Sequence, residues 1–130
     1  MPIFAALLLS MSASPSLSAS SQTLEGSWSG GYTDATGKLM WKSIYTFDHN
    51  GNYKVVVTYD GQKPHTRAGT YVYDGTIVRF HDTSEAVGDE PPVKADHNGR
   101  WWVRWIDDDH MIFGLANPSK ADKPQTRIKS

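Results

Sequence analysis

The chain contains no cysteine. It can therefore form no disulfide, no thiolate metal site and no cysteine nucleophile. It also lacks an excess of charge of either sign, because 13 Lys and Arg side chains oppose 14 Asp and Glu side chains. Such a balance provides no overall attraction to nucleic acid or to anionic lipid. We therefore expect no nucleic acid among its partners.

Long apolar runs are also absent. The apolar segment at residues 3–9 is too short to span a bilayer. It lies within residues 1–20, MPIFAALLLSMSASPSLSAS, which resemble a signal peptide with small residues before a cleavage point near Ser20. The n-region has no Lys or Arg, so a disordered Ser-rich leader is the alternative. The signal peptide predicts a secreted or periplasmic mature protein without a membrane span.

Aromatic residues, by contrast, make up 12% of the chain, with five Trp and six Tyr. They recur in short alternating stretches that favour β-strands. The stretches predict strands near residues 27–33, 40–48, 53–59, 67–73, 76–81, 100–106 and 110–115. Dipeptides typical of tight hairpin turns separate several of them, namely Asn50-Gly51, Asp60-Gly61 and Asp74-Gly75.

Two polar segments interrupt this pattern. Residues 82–99 contain Pro91 and Pro92 and predict a long loop, with a short edge strand near Val93 as the eighth strand. Residues 117–130 predict a polar C-terminal tail, in which QTRIK is open as an added strand. The domain therefore spans residues 21–116.

The predicted fold class is all-β: an antiparallel meander of about eight strands closed into a barrel. Closure removes both sheet edges and gives a small domain without disulfides one continuous core. A sandwich is the rival fold. It needs longer crossovers than the predicted turns of two to four residues allow.

Four short motifs resemble those of lipocalins and small bacterial lipocalin-like domains of the calycin type. They are LEGSW with Gly26 and Trp28, the hairpin YTFDHNGNY, the strand and turn AGTYVYDG, and the closing strand DDDHMIF. The resemblance covers residues 24–115. It implies that Trp28 packs across one end of the barrel, where Gly26 allows a close approach. It also implies a basic side chain over the indole, for which Arg104 is the first candidate and Arg127 the second.

No motif in the chain predicts catalysis, a cofactor or a metal site. The five histidines form no H-x-H or H-x-x-x-H pair, although His81, Asp82, Asp96 and His97 lie close enough in sequence to converge at one rim. The run at residues 107–109 lacks the spacing of a calcium loop. We therefore expect a protein that is not an enzyme and that holds no cofactor and no metal.

Alternation predicts a set of inward-facing side chains: Trp41, Tyr45, Phe47, Tyr53, Val55, Val57, Tyr71, Ile77, Trp101, Val103, Met111 and Phe113. These side chains either fill the barrel or leave a narrow apolar pocket. Arg79 shares a face with Ile77 in this register, and a cation facing a core needs a partner or an anionic ligand.

Two functional hypotheses follow. The favoured one is binding of a small apolar or amphipathic molecule at the barrel mouth by Trp41, Tyr45, Tyr59, Tyr73, Arg79 and Trp105. The alternative is a protein-binding module, such as an inhibitor or immunity-type partner of an exported enzyme, with a solid core. In that case an outer face containing Arg100 and Trp102, beside Arg104, makes the interface, because Trp and Arg are frequent in binding hot spots.

Overall fold

A computed structural model describes residues 23–114 and 123–129 of the chain. The predicted leader, residues 1–20, lies outside the described residues. The described residues form eight β-strands: β1 Gly26–Thr33, β2 Leu39–Phe47, β3 Asn52–Tyr59, β4 His65–Tyr73, β5 Ile77–Val87, β6 Val93–Asp107, β7 His110–Gly114 and β8 Lys123–Ile128.

The strands form a closed antiparallel barrel in sequence order, which confirms the predicted fold class. Each strand pairs with the next, and β8 returns to pair with β1 through Ser27↔Ile128 and Ser29↔Thr126. This last pairing removes both edges of the sheet. Among the described residues, no helix is long and apolar enough to cross a membrane.

The barrel reaches eight strands by a different route from the one predicted. Most of the polar segment at residues 82–99 is strand, because β5 continues to Val87 and β6 begins at Val93. The eighth strand instead comes from residues 117–130, where β8 includes residues 125–128 of the QTRIK sequence. The barrel therefore extends beyond residue 116.

Aspartates organise the hairpin turns. The Asp48 carboxylate accepts hydrogen bonds from the backbone N–H groups of Asn50 and Asn52, both at 2.9 Å. Gly51 has φ of 88°, the left-handed conformation that this turn needs. The hydrogen bond from the Asn52 backbone is the largest influence on Asp48 and lowers its pKa. The dipeptides that predicted turns thus have a direct structural basis.

The barrel interior is an aromatic core. Its buried members are Leu24, Trp28, Tyr45, Phe47, Tyr53, Val55, Val78, Phe80, Val103, Met111 and Phe113, and Val57, Tyr71, Tyr73, Trp101 and Trp105 pack against them. The core therefore contains every side chain that alternation predicted to face inward except Trp41 and Ile77. Ile77 was placed on the wrong face: it lies opposite Trp102, while Val78 and Phe80 point into the core.

Trp28 closes one end of the barrel. Its side chain is fully buried, and its indole N–H donates to the Leu24 carbonyl at 2.9 Å. The Arg127 guanidinium lies over the indole, with Cζ 4.3 Å from the ring centroid. Arg104, the first candidate for this position, is exposed and lies on β6 opposite Ile112, so the second candidate is the correct one.

Arg127, on the last strand, also contacts the segment just before the first strand and the β6–β7 turn. Its Nη1 and Nη2 donate to the carbonyls of Glu25 and Thr23 at 2.7 and 2.9 Å, and its Nε lies 3.1 Å from the Asp109 carboxylate. A Cβ at Gly26 would lie 3.2 Å from Arg127 Nη1. The glycine of the LEGSW motif therefore makes room for this guanidinium.

We expect Arg127→Gln to lower the free energy of unfolding by roughly 2 kcal/mol, because it removes the cation–π contact and leaves carbonyl groups without their donor. Arg104→Gln is the matched control and should change it by less than about 0.5 kcal/mol, as exposed substitutions do. Urea unfolding followed by Trp fluorescence measures both. Equal destabilisation by the two variants would contradict the assignment of Arg127 to the indole.

Candidate functional site

A pocket of about 360 Å³ opens within the half of the barrel formed by β2 to β6. Its lining residues are Tyr45, Tyr53, Val55, Arg67, Phe80, Asp82, His97, Asn98, Gly99, Arg100 and Trp101. Those on β2, β3 and β5 are buried, whereas residues 97–100 of β6 are exposed. The pocket therefore has a closed floor and an opening beside β6.

The floor of the pocket is aromatic. Phe80 lies between two tyrosine rings, with its centroid 4.7 Å from that of Tyr53 and 6.2 Å from that of Tyr45. Trp101 is half-buried and stacks on Phe113 at 6.3 Å. Burial raises the pKa of Tyr45, against the opposing effects of the Arg67 charge and a hydrogen bond with Trp101. These packed rings offer apolar contact area from fixed positions.

Gly99 creates the space above this floor. It pairs with Phe80 across β5 and β6, so a side chain at this position would project toward the same face as Phe80. A Cβ built on Gly99 meets no atom within 4 Å. The pocket therefore exists partly because β6 carries no side chain here.

One wall of the pocket is charged. Asp82 is buried, with 8% of the residue exposed, and its Oδ2 lies 3.8 Å from Arg67 Nε. His97 pairs with Asp82 across the strands, and its Nδ1 lies 4.0 Å from Glu85. The wall thus places a carboxylate, a guanidinium and an imidazole beside aromatic rings, and Glu85 lies next to the imidazole outside the pocket lining.

Two bulges set the relative positions of these polar residues. The register shifts between Ala68 and Gly69 where β4 pairs with β5, and again just after Asp82 where β5 pairs with β6. A Cβ at Gly69 would overlap the His81 carbonyl oxygen, so only glycine allows this approach. The first shift brings Arg67 opposite Glu85.

Burial is the largest influence on the pKa of Asp82. Burial raises its pKa, the charge of His97 opposes this effect, and the charge of Glu85 adds to it. Arg67 at 3.8 Å is beyond hydrogen-bond distance and does not offset the burial. No described residue hydrogen-bonds to the Asp82 carboxylate.

Of the six residues predicted to bind the ligand, only Tyr45 lines this pocket. Trp41 and Tyr59 are cross-strand neighbours on the inner face, nearer the end opposite Trp28. Tyr59 is 46% exposed and lines a smaller recess of about 100 Å³ with His65 and Arg67. The structure therefore separates this pair from the main pocket.

Tyr73 and Trp105 lie at the closed end, which corrects their placement at the mouth. The Trp105 indole N–H donates to the Tyr73 hydroxyl at 2.8 Å, and that hydroxyl donates to the Gly75 carbonyl at 2.9 Å. Trp105 also packs edge-on against Trp28, with centroids 5.7 Å apart. Both side chains support the Trp28 plug.

Arg79 points outward, which corrects its placement in the interior. The β5 register is offset by one residue from the predicted one, so Val78 and Phe80 take the inner face. Arg79 is half-exposed and lies 3.3 Å from Asp74. Two arginines line the pocket instead, Arg67 from β4 and Arg100 at the rim, and sequence reasoning missed Arg67. The available signal was its alternation with Gly69, Tyr71 and Tyr73.

The residues of the predicted protein interface lie on the outer face of β6. Trp102 pairs with Ile77 and Gly114 and is half-buried, while Arg100 and Arg104 are exposed. Arg100 lies directly opposite Arg79 and also lines the pocket rim.

The candidate metal-ligating side chains divide between the two faces of the sheet. His81 bonds to Asp96 at 2.8 Å, whereas Asp82 and His97 line the pocket. Within residues 23–114 and 123–129, no group of three His, Asp or Glu side chains could hold a metal ion.

We expect Asp82→Asn to gain stability relative to the natural chain at neutral pH, and this gain to shrink as the pH falls. A carboxyl whose folded pKa is raised destabilises the fold above that pKa, and the effect vanishes once the group is protonated in both states. Urea unfolding at pH 7 and pH 4.5 gives the difference. Asp89→Asn is the control, because Asp89 is exposed in the turn between β5 and β6 and forms no ion pair with a described residue. A gain that grows on acidification would contradict the burial effect.

No protein-family model matches the chain, and no curated protein or solved structure matches it significantly.

Proposed function

We propose that this chain is a lipocalin-like barrel that binds a small apolar or amphipathic molecule in the pocket beside Gly99. One observation carries the proposal: packed aromatic rings form the floor of a 360 Å³ pocket, and charged groups stand on one wall. Ligand pockets of about 300–1,000 Å³ are typically apolar with a few polar groups that orient the ligand. The volume here is at the small end of that range, which favours a small ligand.

The proposed role is binding without catalysis, and the family likeness supports it through the closed barrel, the buried Trp28 and the hairpin motifs. The polar wall replaces Arg79 as the orienting group. Arg67 and Asp82 are its charged members, and they reach the pocket from β4 and β5. The aromatic floor supplies the apolar contact area.

The proposed site of action is outside the cytoplasm, since residues 1–20 resemble a signal peptide. Expression of the full chain in a bacterium and intact-mass analysis of the exported protein test this proposal. The expected product begins near Ser21. Retention of Met1 in a protein that stays in the cytoplasm would contradict it.

Protein binding by the outer face of β6 is the weaker candidate. It requires a solid interior, and the described residues leave a pocket beside Gly99. The feature in its favour is Trp102 between the exposed Arg100 and Arg104. Binding of a partner protein that survives Trp102→Ala would argue against it.

We expect the neutral fluorescent probe N-phenyl-1-naphthylamine to bind the natural chain, and Gly99→Val to raise its dissociation constant by at least about tenfold. The added side chain enters the empty space above Phe80, and valine is well suited to a strand. Fluorescence titration measures the constants.

Thr70→Val is the control, because it places a valine at an exposed position of β4 away from the pocket. It should change the dissociation constant by less than about twofold. A natural chain that does not bind the probe, or a Gly99→Val variant that binds it equally well, would refute the proposed site.

A further inference from the structure

The charged wall of the pocket contains an ion pair whose two side chains share no hydrogen bond. Arg67 and Asp82 both line the pocket, and their nearest approach, Nε to Oδ2, is 3.8 Å. That distance is an ionic contact but is too long for a hydrogen bond. Neither side chain makes a hydrogen bond to another described residue. The pair therefore leaves guanidinium donors and carboxylate acceptors open to the pocket.

Asp82 is the more deeply buried of the two and has the greater need for a hydrogen-bond donor. Its side chain is only 12% exposed, whereas that of Arg67 is 49% exposed. Burying a carboxylate is strongly unfavourable unless it is paired and hydrogen-bonded. The 3.8 Å contact supplies attraction without the hydrogen bonds. A ligand that donates to Asp82 would complete its coordination.

A ligand with a single charge fits the Arg67–Asp82 pair poorly. A carboxylate placed on Arg67 would lie close to the Asp82 carboxylate, and an ammonium group placed on Asp82 would lie close to Arg67. Like charges separated by about 4–6 Å in a partly buried site repel each other, because little water screens them. A head group with both charges meets each protein group with its opposite and avoids either repulsion.

The aromatic floor favours an apolar or aromatic group in the part of the ligand beyond its charged head group. Tyr45, Phe80 and Trp101 present ring faces or edges to the pocket. Aromatic rings pack well against one another, and they also attract a neighbouring ammonium group. A benzyl-sized side chain with its head group at the wall suits a volume of 360 Å³.

We infer that the ligand is zwitterionic, of the α-amino-acid class with an apolar or aromatic side chain, whose ammonium group pairs with Asp82 and whose carboxylate pairs with Arg67. The inference rests on the proposed function, since it names the ligand class of the same pocket. The raised pKa of Asp82, caused by burial, agrees with a carboxylate that accepts no hydrogen bond from the described residues.

Four compounds of similar size test the inference by displacing N-phenyl-1-naphthylamine from the natural chain. They are L-phenylalanine, 2-phenylethylamine, 3-phenylpropanoate and the neutral 3-phenylpropanamide. L-phenylalanine should displace the probe at a concentration at least about tenfold lower than any of the other three. Equal displacement by all four, or displacement by none, would overturn the inference and leave the proposed function standing, because the probe itself binds.

Two variants test which protein side chain pairs with each charge of the ligand. Asp82→Asn should abolish the advantage of L-phenylalanine over 3-phenylpropanoate, and Arg67→Gln should abolish its advantage over 2-phenylethylamine. Arg104→Gln and Asp96→Asn are exposed controls that should preserve both advantages. An unchanged ranking in both pocket variants would overturn the inference. The ranking on the natural chain decides it even if a variant does not fold, and a natural chain that fails to bind the probe refutes both proposals.

Discussion

The contact between Arg127 and Trp28 is the constraint on which the barrel depends. Trp28 belongs to the first strand and Arg127 to the last, so this cation–π contact lies across the seam where the sheet closes. The same guanidinium holds the carbonyls of Thr23 and Glu25. Closure removes the sheet edges, and the buried indole fills one end of the barrel. The pocket is consequently confined to the half formed by β2 to β6.

The pocket follows from departures from ideal strand geometry. A regular, fully packed barrel of this size fills its interior with side chains. Gly99 leaves a gap above Phe80, and the register shifts near Gly69 and Asp82 lie beside the charged side chains that line the pocket. The pocket therefore lies where strand pairing is irregular and where one strand lacks a side chain. The closed end, by contrast, is completed by Tyr73 and Trp105 around Trp28.

Much of the fold was predictable because turns and alternation are local properties. The Asp-Gly and Asn-Gly dipeptides mark real turns, and alternation identified the core of β2 and β3. The inner face of β5 was not decided by alternation, since Ile77 and Val78 are both apolar, and this ambiguity misplaced Arg79. β6 begins with a polar sequence, and β8 contains Pro124, so the sequence predicts only a short edge strand near Val93 and leaves QTRIK open as a strand. The same error in β5 hid Asp82, which alternates with the inward Val78 and Phe80, whereas Arg67 alternates with Gly69, Tyr71 and Tyr73 and could have been predicted.

The most direct measurement of this account is the pattern of nuclear Overhauser effects across the β1–β8 seam in the purified protein. Closure predicts interstrand effects between backbone protons of Ser27 and Ile128 and of Ser29 and Thr126, together with contacts from the Trp28 indole to the Arg127 side chain. A spectrum with the β1–β2 effects but none across this seam would show an open sheet. That result would contradict both the plugged barrel and the pocket derived from it.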